Sequence, residues 1–598
     1  MTFAAEKKAL LRFNRVPRLR ESASFTVRTL SMWVISCSLL TLVNGCVRPA
    51  APDPNESTQQ ESKPADSSAP ETQTTAIQFR ERSLSTATNF VYNNGEAGGA
   101  ATILAGMGGG VALFDFDLDG QLDLACPGGG TIDGEHAHGL PLTLLRNAGA
   151  WQFTRCEELA RVNVPRHFSL GVAIGDIDHD GFLDVLITGF GGLQLLLNRG
   201  DGTFQDITDD AKLDDRLWST SAAWGDFNGD GQLDLYVVHY VDWSFEHNPS
   251  CPTIDGTHQE RCPPQQFGPL PDTLYLSQGD GTFVDCSERC GLRRDGKGLG
   301  VVVADFDLDR DLDLYVANDT VGNFLYRNDG TGHFTDVAVA GGAAFNDSGM
   351  PDGSMGVAVA DIDFDGLPEI WVTNYERETI GLYKNLGDCN FEHISQRAGV
   401  ATIGTMFVGF GTVFFDADRD GDEDVFVANG HVLRYPNNAP VRQLPLCFEN
   451  QTGRKFINVA ASTGDYGRTT HIGRGVARGD IDGDGDLDLV ISHLNGAGSL
   501  LENMSPNQAS WLAVRLIGVA SNRDAIGARV ELRTNTGRQF RQISSGDSYL
   551  SHSDRTLFWG IPRSQVIESL IIEWPSGRTQ RIARPQRNRT LILHEPAN

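Results

Sequence analysis

The chain is 598 residues long, several times the size at which one hydrophobic core stops growing, so it is multidomain or repetitive and not a small disulfide scaffold. Its 49 Lys and Arg against 78 Asp and Glu give a formal net charge of −29, which argues against nucleic acid or an anionic membrane surface as the main partner. The acid is concentrated: residues 1–45 carry +5 and residues 508–598 carry +6, leaving −40 on residues 46–507, a stretch too rich in Val, Leu, Ile and Phe to be a disordered solvating segment.

Lys7, Lys8, Arg12, Arg15, Arg18, Arg20 and Arg28 precede an apolar run from Leu30 to Val43, a basic region followed by an apolar one of signal-peptide length. The run is too short and too broken by Ser for a membrane span. It ends in Leu42-Val43-Asn44-Gly45-Cys46, which resembles a bacterial lipobox, so residues 1–46 read as a signal peptide and Cys46 as the lipidated first residue of the mature protein. Cleavage nearby and a signal anchor are the competing readings. Residues 47–76 are Pro, Ser, Thr, Gln and Glu with few large apolar side chains, a disordered tether with a reach of about 30 Å. Together these segments predict an exported, membrane-anchored lipoprotein, periplasmic or at the cell surface, whose only membrane contact is the lipid.

The middle of the chain repeats Asp-x-Asp-x-Asp-Gly-x-x-Asp seven times. The copies are Asp115, Asp117, Asp119, Gly120, Asp123; Asp176, Asp178, Asp180, Gly181, Asp184; Asp226, Asn228, Asp230, Gly231, Asp234; and Asp305, Asp307, Asp309, Asp313. Then come Asp361, Asp363, Asp365, Gly366, Glu369; Asp416, Asp418, Asp420, Gly421, Asp424; and Asp480, Asp482, Asp484, Gly485, Asp488. Oxygens at positions 1, 3 and 5 converge on one Ca²⁺ when such a loop coils, Gly at 6 permits the sharp turn, and a late carboxylate closes the shell. That acid stands at position 9 instead of 12, and the flanks are short apolar runs such as Leu233-Asp-Leu-Tyr-Val-Val, so the loops join strands and not the helices of an EF-hand. Up to seven structural Ca²⁺ are expected. The fourth loop ranks weakest, because Arg310 replaces the turn Gly.

A Phe-containing strand follows the loops, clearest in Leu197-Asn-Arg-Gly-Asp-Gly-Thr-Phe204, with Phe153, Phe283, Phe334, Phe391 and Phe456 assigned after copies one, two, four, five and six. Copy seven lacks one, whereas Ile77-Gln-Phe79-Arg80 stands unpartnered upstream, as a closed ring requires if the N-terminal strand completes the last blade. These repeats resemble the FG-GAP, or VCBS, repeats of integrin-type β-propellers. The resemblance implies an all-β, seven-bladed propeller over residues 77–507.

From residue 508 the composition turns Arg-rich and the pattern becomes alternating strands, such as Trp511-Leu-Ala-Val-Arg-Leu-Ile and Leu570-Ile-Ile-Glu-Trp574. Asn522-Arg-Asp-Ala-Ile-Gly-Ala-Arg-Val530, Gly546-Asp-Ser-Tyr-Leu-Ser551 and Trp574-Pro-Ser-Gly577 resemble the ASPIC, or UnbV, domain. A propeller followed by this domain is similar to the cartilage acidic protein family and its bacterial relatives. The basic module can dock on the acidic ring, or bind an external acidic glycan through Arg523, Arg529 and Arg541.

Eight Cys remain after the signal, an even number that favours disulfides in an exported chain. Cys251 and Cys262 form a local pair, Cys286 and Cys290 can pair only off a regular helix, and Cys126, Cys156, Cys389 and Cys447 stay unassigned. His136-x-His138 and Asn429-Gly-His431 read as structural. No nucleophile elbow, Walker loop, dinucleotide fingerprint or zinc-protease motif appears, so no catalytic residue is assigned. The expected function is a calcium-binding adhesion or binding module for an unknown protein or glycan ligand, with the insert Asp242 to Asp272 as the binding loop; the alternative is a propeller enzyme acting on polysaccharide, a lyase or hydrolase.

Overall fold

A computed structural model describes residues 75–85, 88–99, 101–506 and 509–597; the signal, Cys46 and nearly all of the tether lie outside the described residues. Seven four-stranded antiparallel sheets are built to one plan, and one of them gains a fifth strand. Blade one shows it: an inner strand Ala112–Phe114, the first acidic loop, a second strand Asp123–Cys126, a third Thr143–Asn147, and an outer Phe strand Phe153–Arg155. The inner strands of the other blades are Phe168–Gly175, Ser219–Gly225, Gly298–Ala304, Val357–Ala360, Gly409–Phe415 and Gly473–Gly479. Each neighbours the next, and the last returns to the first, so they form a closed ring. Most of their residues are buried, and small or β-branched side chains dominate, as strands covered on both faces demand.

Blade seven takes its outer strand from the other end of the repeat. Phe79–Arg82 pairs antiparallel with Ser499–Asn503, Phe79 opposite Asn503, which removes the two free edges an open array would leave. The Phe assignment needs one correction. Phe204 belongs to blade two and Phe283 to blade three, because the insert after the third loop lengthens the connection between second and third strands without adding a blade.

The C-terminal part forms two sheets. One pairs Ser510–Ile517 with Leu557–Ile561 and Thr590–His594; the other orders Gly537–Gln542, Arg529–Thr534, Ile567–Glu573 and Thr579–Ala583. Its core side chains, among them Val514, Trp559, Leu570 and Trp574, are continuous with those of blades two to four, including Trp224 and Leu312. The two parts therefore share one hydrophobic core.

The stronger tie is a hairpin, Ser545 to Asp554, that enters the ring from the acidic-loop end. It exchanges hydrogen bonds with the inner strand of every blade. Leu113 N donates to His552 O (3.0 Å), Val172 N to Leu550 O (3.0 Å), Trp224 N to Ser545 Oγ (3.1 Å) and Asp547 N to Val301 O (3.0 Å). Blades five, six and seven contribute through Val357 N to Ser548 O (3.0 Å), Thr412 N to Ser548 Oγ (3.2 Å) and Arg478 N to Ser553 Oγ (3.2 Å). Backbone runs so close here that a Cβ on Gly110 would lie 1.6 Å from the Leu550 carbonyl oxygen, which explains a residue without a side chain at that position. Inner-strand groups that face the axis in an empty ring are thereby partnered.

Candidate functional site

The seven loops gather at one end of the ring. In loops one to five and seven the position-6 N–H donates to Oδ2 of the position-1 Asp, at 2.8 to 3.2 Å. This bond coils the loop and needs positive φ at position 6: Gly120 has φ 88° and Gly181 97°. Arg310 takes the same conformation at φ 82° and makes the same bond, so loop four keeps its shape at a backbone cost of about 1–2 kcal/mol. In loop six, Asp416 Oδ2 instead accepts Gly560 N of the C-terminal domain at 2.7 Å.

Positions 1, 3 and 5 converge, as in Asp305, Asp307 and Asp309, and as in Asp361, Asp363 and Asp365, with their oxygens within 4.8 Å of one another. One buried oxygen each of Asp176, Asp361, Asp416, Asp422 and Asp486 has no hydrogen-bond partner. Unpaired carboxylate oxygens facing each other at this range fit a divalent cation with hard-oxygen preference. Asp117, Asp119, Asp178, Asp180, Asp230, Asp309, Asp365 and Asp418 to Asp420 supply the more exposed part of the same clusters.

Position 9 has a different first task. In six loops its two oxygens accept the position-2 N–H and a third-strand N–H, as Asp123 does from Phe116 (3.0 Å) and Asn147 (2.8 Å), and as Asp184, Asp234, Asp313, Asp424 and Asp488 repeat. Glu369 accepts Ile362 N but turns its other oxygen to Lys384. Burial pushes Asp123 up to about 8 and Asp184 up to about 9 although two N–H donors oppose it in each, so a nearby cation is what would favour their anionic form at neutral pH. The sequence reading assigned position 9 to the ion alone; the geometry makes it a staple between loop and blade.

A second set of residues escaped the sequence reading. The third strand ends in Asn147, Asn198, Ser277, Asn328, Asn385, Asn450 and Asn503. All but Ser277 donate a side-chain N–H to the position-2 carbonyl of the preceding blade, such as Asn198 to Phe116 O (2.8 Å) and Asn503 to Ala417 O (2.8 Å). The Asn recurring ahead of five of the Phe strands is the signal in the sequence.

The acidic-loop end is covered by the basic C-terminal domain. Arg523 pairs with Asp176 (3.1 Å), Arg529 donates to Gly366 O (2.9 Å), Arg541 pairs with Glu423, and Gln539 donates to Gly421 O (3.1 Å). The three arginines considered for an external acidic ligand are spent on the ring.

At the opposite end the axis is open, with a cavity of about 420 Å³. Tyr549, at the tip of the axial hairpin, lies beneath it, its ring edge-on to Phe410 (4.9 Å) and its hydroxyl donating to Met107 O (3.2 Å). Tyr240, Met355, Tyr375 and Phe410 give it apolar walls, and Asp319 and Glu378 give it carboxyls. Burial pushes Asp319 up to about 6 although the Tyr240 hydroxyl donates to it, and Glu378 up to about 7 although Gly353 N donates at 2.7 Å. The insert forms one rim. Its middle is tied by the Cys251–Cys262 disulfide, and Glu260 accepts Arg434 N (2.9 Å) and Tyr435 N (2.7 Å) from blade six. Cys286–Cys290 is the second disulfide, on a turn and not a helix. Cys126, Cys156, Cys389 and Cys447 are free.

Beside the cavity the wholly buried Arg474 donates to Met107 O (2.9 Å), Gly106 O (2.8 Å) and Gly473 O (2.8 Å), with its guanidinium 3.9 Å over the Phe410 ring. Burial lowers it to about 9, so it remains a cation and clips the segment before blade one to blades six and seven.

Residues 518–598 match the family model for ASPIC and UnbV, and residues 176–237 and 305–372 match that for the FG-GAP-like repeat. The chain thus carries FG-GAP-like repeats and an ASPIC/UnbV domain. It is 26% identical over 502 residues to cartilage acidic protein 1 of Mus musculus, covering 72% of this chain and 74% of that one, and 25% identical to the Homo sapiens protein over 72% and 73%. An Agrocybe aegerita lectin specific for non-reducing terminal N-acetylglucosamine aligns at 16% identity over 65% of this chain and 86% of its own, with a TM-score of 0.35.

Proposed function

We propose that this protein is an exported, lipid-anchored binding module: a calcium-stabilised propeller that takes a glycan or protein ligand at the open end of its axis. One observation carries the reading. The acidic-loop end is closed by the protein's own C-terminal domain, whereas the other end holds a cavity with aromatic side chains in its wall and Asp319, Glu378 and Glu260 among its lining, the mixture of apolar surface and oriented polar groups that ligand sites use. Calcium enters as the cation of the acidic loops, held by the position-1, 3 and 5 carboxylates, where it neutralises mutual repulsion and ties strands together. The basic apolar leader ending at Cys46 supports the anchor, and Cys46→Ser is expected to release the protein from membranes.

The test is a glycan array and a polysaccharide-degradation panel run on one preparation, with Tyr435→Ala and Asp319→Asn beside wild type. Binding lost in both variants at unchanged melting temperature supports the reading; binding insensitive to both sinks the cavity. A hydrolase is the second reading, favoured by the two carboxyls held near neutral pH, since a side chain on Gly353 would approach both Asp319 (3.0 Å) and Glu378 (3.4 Å). New reducing ends from the same panel would decide for it. Excess EGTA is expected to lower the melting temperature; an unchanged transition removes calcium from the account.

A further inference from the structure

The seven loops are not equivalent, and one register position sorts them. Immediately before the third-strand Asn, or Ser277 in blade three, stand Arg146, Leu197, Leu276, Arg327, Lys384, Glu449 and Glu502: basic in three blades, apolar in two, acidic in two. In blades one, four and five the side chain at this position faces the acidic loop of its own blade. In blade five the Lys384 ammonium lies 2.6 Å from Asp363, 2.8 Å from Asp365 and 3.2 Å from Glu369, so its three protons meet the carboxylates of loop positions 3, 5 and 9. In blade one the Arg146 guanidinium pairs with Asp117 and, at 2.8 Å, with Asp119, positions 3 and 5. Arg515 of the C-terminal domain adds a second positive charge 3.9 Å from Asp115. Both oxygens of Asp115 already accept the backbone N–H of Asp119 (3.1 Å) and Gly120 (3.0 Å).

We propose that loops one and five do not take Ca²⁺, because Arg146 and Lys384 are tethered cations that fill its charge role. The inference rests on the calcium reading of the remaining loops. A divalent ion in loop five would have to displace an ammonium only 18% exposed, or sit beside it against direct repulsion. The misfit is one of charge and not of shape, since loop five keeps the position-6 turn (3.0 Å) and Asp361 and Asp363 each retain one oxygen without a hydrogen-bond partner. Loops six and seven stand at the other extreme. Position 7 adds Asp422 and Asp486, each with one buried oxygen that has no hydrogen-bond partner, although Arg419 lies 3.6 Å from Asp486, and the sorting position is Glu449 or Glu502, the latter paired with Arg80 and Arg82 of the N-terminal strand. Arg327 faces Asp307 in blade four without pairing with it and falls between these cases. The pattern resembles one site type tuned by a single side chain, with the strand holding a permanent counter-ion where secreted concentrations of calcium need not be relied on.

The experiment counts ions. Mature protein stripped of metal is titrated with Ca²⁺ by calorimetry, and bound calcium is measured by elemental analysis after desalting, for wild type, Lys384→Gln, Arg146→Gln and the double variant. Wild type is expected to hold five ions or fewer, each single variant one more, and the double variant two more. In EGTA both variants are expected to melt below wild type, with saturating calcium restoring the loss. Seven ions in wild type, or folded variants whose count does not rise, overturn the tethered-cation inference alone. No bound calcium in any of the proteins overturns it together with the calcium reading. Because the two substitutions lie in different blades, failure of one variant to fold leaves the other as a complete test.

Discussion

The two ends of the ring are built on opposite terms. At the acidic-loop end every blade ends in carboxylates, and several of those charges are met from within the chain by Arg146, Lys384, Arg523, Arg541 and the Gly560 N–H. At the other end Asp319 and Glu378 line a largely apolar cavity, and burial pushes both carboxyls up toward neutrality. Charge is therefore abundant where much of it is internally satisfied and pushed toward neutrality where an outside molecule can reach it. Net charge consequently says little about the ligand: most of the −29 lies at an end that the C-terminal domain already covers.

The harshest way to break this contrast is to remove the cover. A chain ending at residue 506 loses the axial hairpin and the side chains that share a core with blades two to four, exposing inner-strand groups and apolar surface together. It is expected to be insoluble or to lack a cooperative thermal transition. A truncated protein that melts like the full chain would show that the C-terminal domain is an accessory and that the loop end is available to ligands after all.

Much of that architecture is legible in sequence, and the reason is locality. Each acidic loop is a nine-residue unit whose oxygens, turn residue and flanking strands are adjacent in the chain, so the repeat announces itself, and the orphan Phe79 strand follows from counting blades. What could not be read depends on contacts between residues hundreds of positions apart. Gly546-Asp-Ser-Tyr-Leu-Ser551 stood out as a motif, yet nothing local says that it threads a channel formed by seven other segments. Asp319, Glu378 and Phe410 come from three different blades and carry no spacing signature. Arg474 looks like any surface arginine on an alternating strand until the carbonyls around it are known. The basic side chains at 146 and 384 were visible, but their loops are assembled with the third strand only in the fold.

Arg474 offers a sharper cut at the open end alone. Replacing it with Met keeps much of the volume but takes the guanidinium donor from the buried carbonyls of Gly106, Gly473 and Met107, of which Met107 O keeps the Tyr549 hydroxyl. Burying unpaired acceptors costs about 1–3 kcal/mol each, partly relieved where water enters, so a loss of about 3–5 kcal/mol is expected in urea unfolding. The calcium count should not move, because no acidic loop is at that end. Loss of bound calcium along with stability would mean that the two ends are coupled more tightly than their separate chemistry implies.

The smallest expected effect concerns pH and the same end of the ring. His471 and His493 stack at 4.8 Å between ring centroids, with Tyr466 4.1 Å from His471. His493 Nδ1 donates to Ala497 O at 2.7 Å, so Nε2 accepts from the Tyr466 hydroxyl at 3.0 Å, a neutral tautomer. Burial lowers His493 to about 3, helped by the charges of His471 and Arg442, and burial with Arg442 lowers His471 to about 4; Glu81 lines the same pocket. Both folded-state values lie below the ordinary 6.5, so the unfolded chain binds these protons more readily and stability falls as pH drops from about 6.5 toward 4. Above pH 6.5 the two side chains contribute no slope. His493→Gln, which keeps a polar side chain without the titration, is expected to remove about 2 kcal/mol of the stability lost between pH 6.5 and 4.5, read as a flatter dependence of the urea midpoint on pH. Measured in saturating calcium, the difference between variant and wild type isolates the histidines from the acidic loops, whose own protonation is common to both proteins. An identical slope in the two proteins would mean that the acid sensitivity belongs entirely to the loop end.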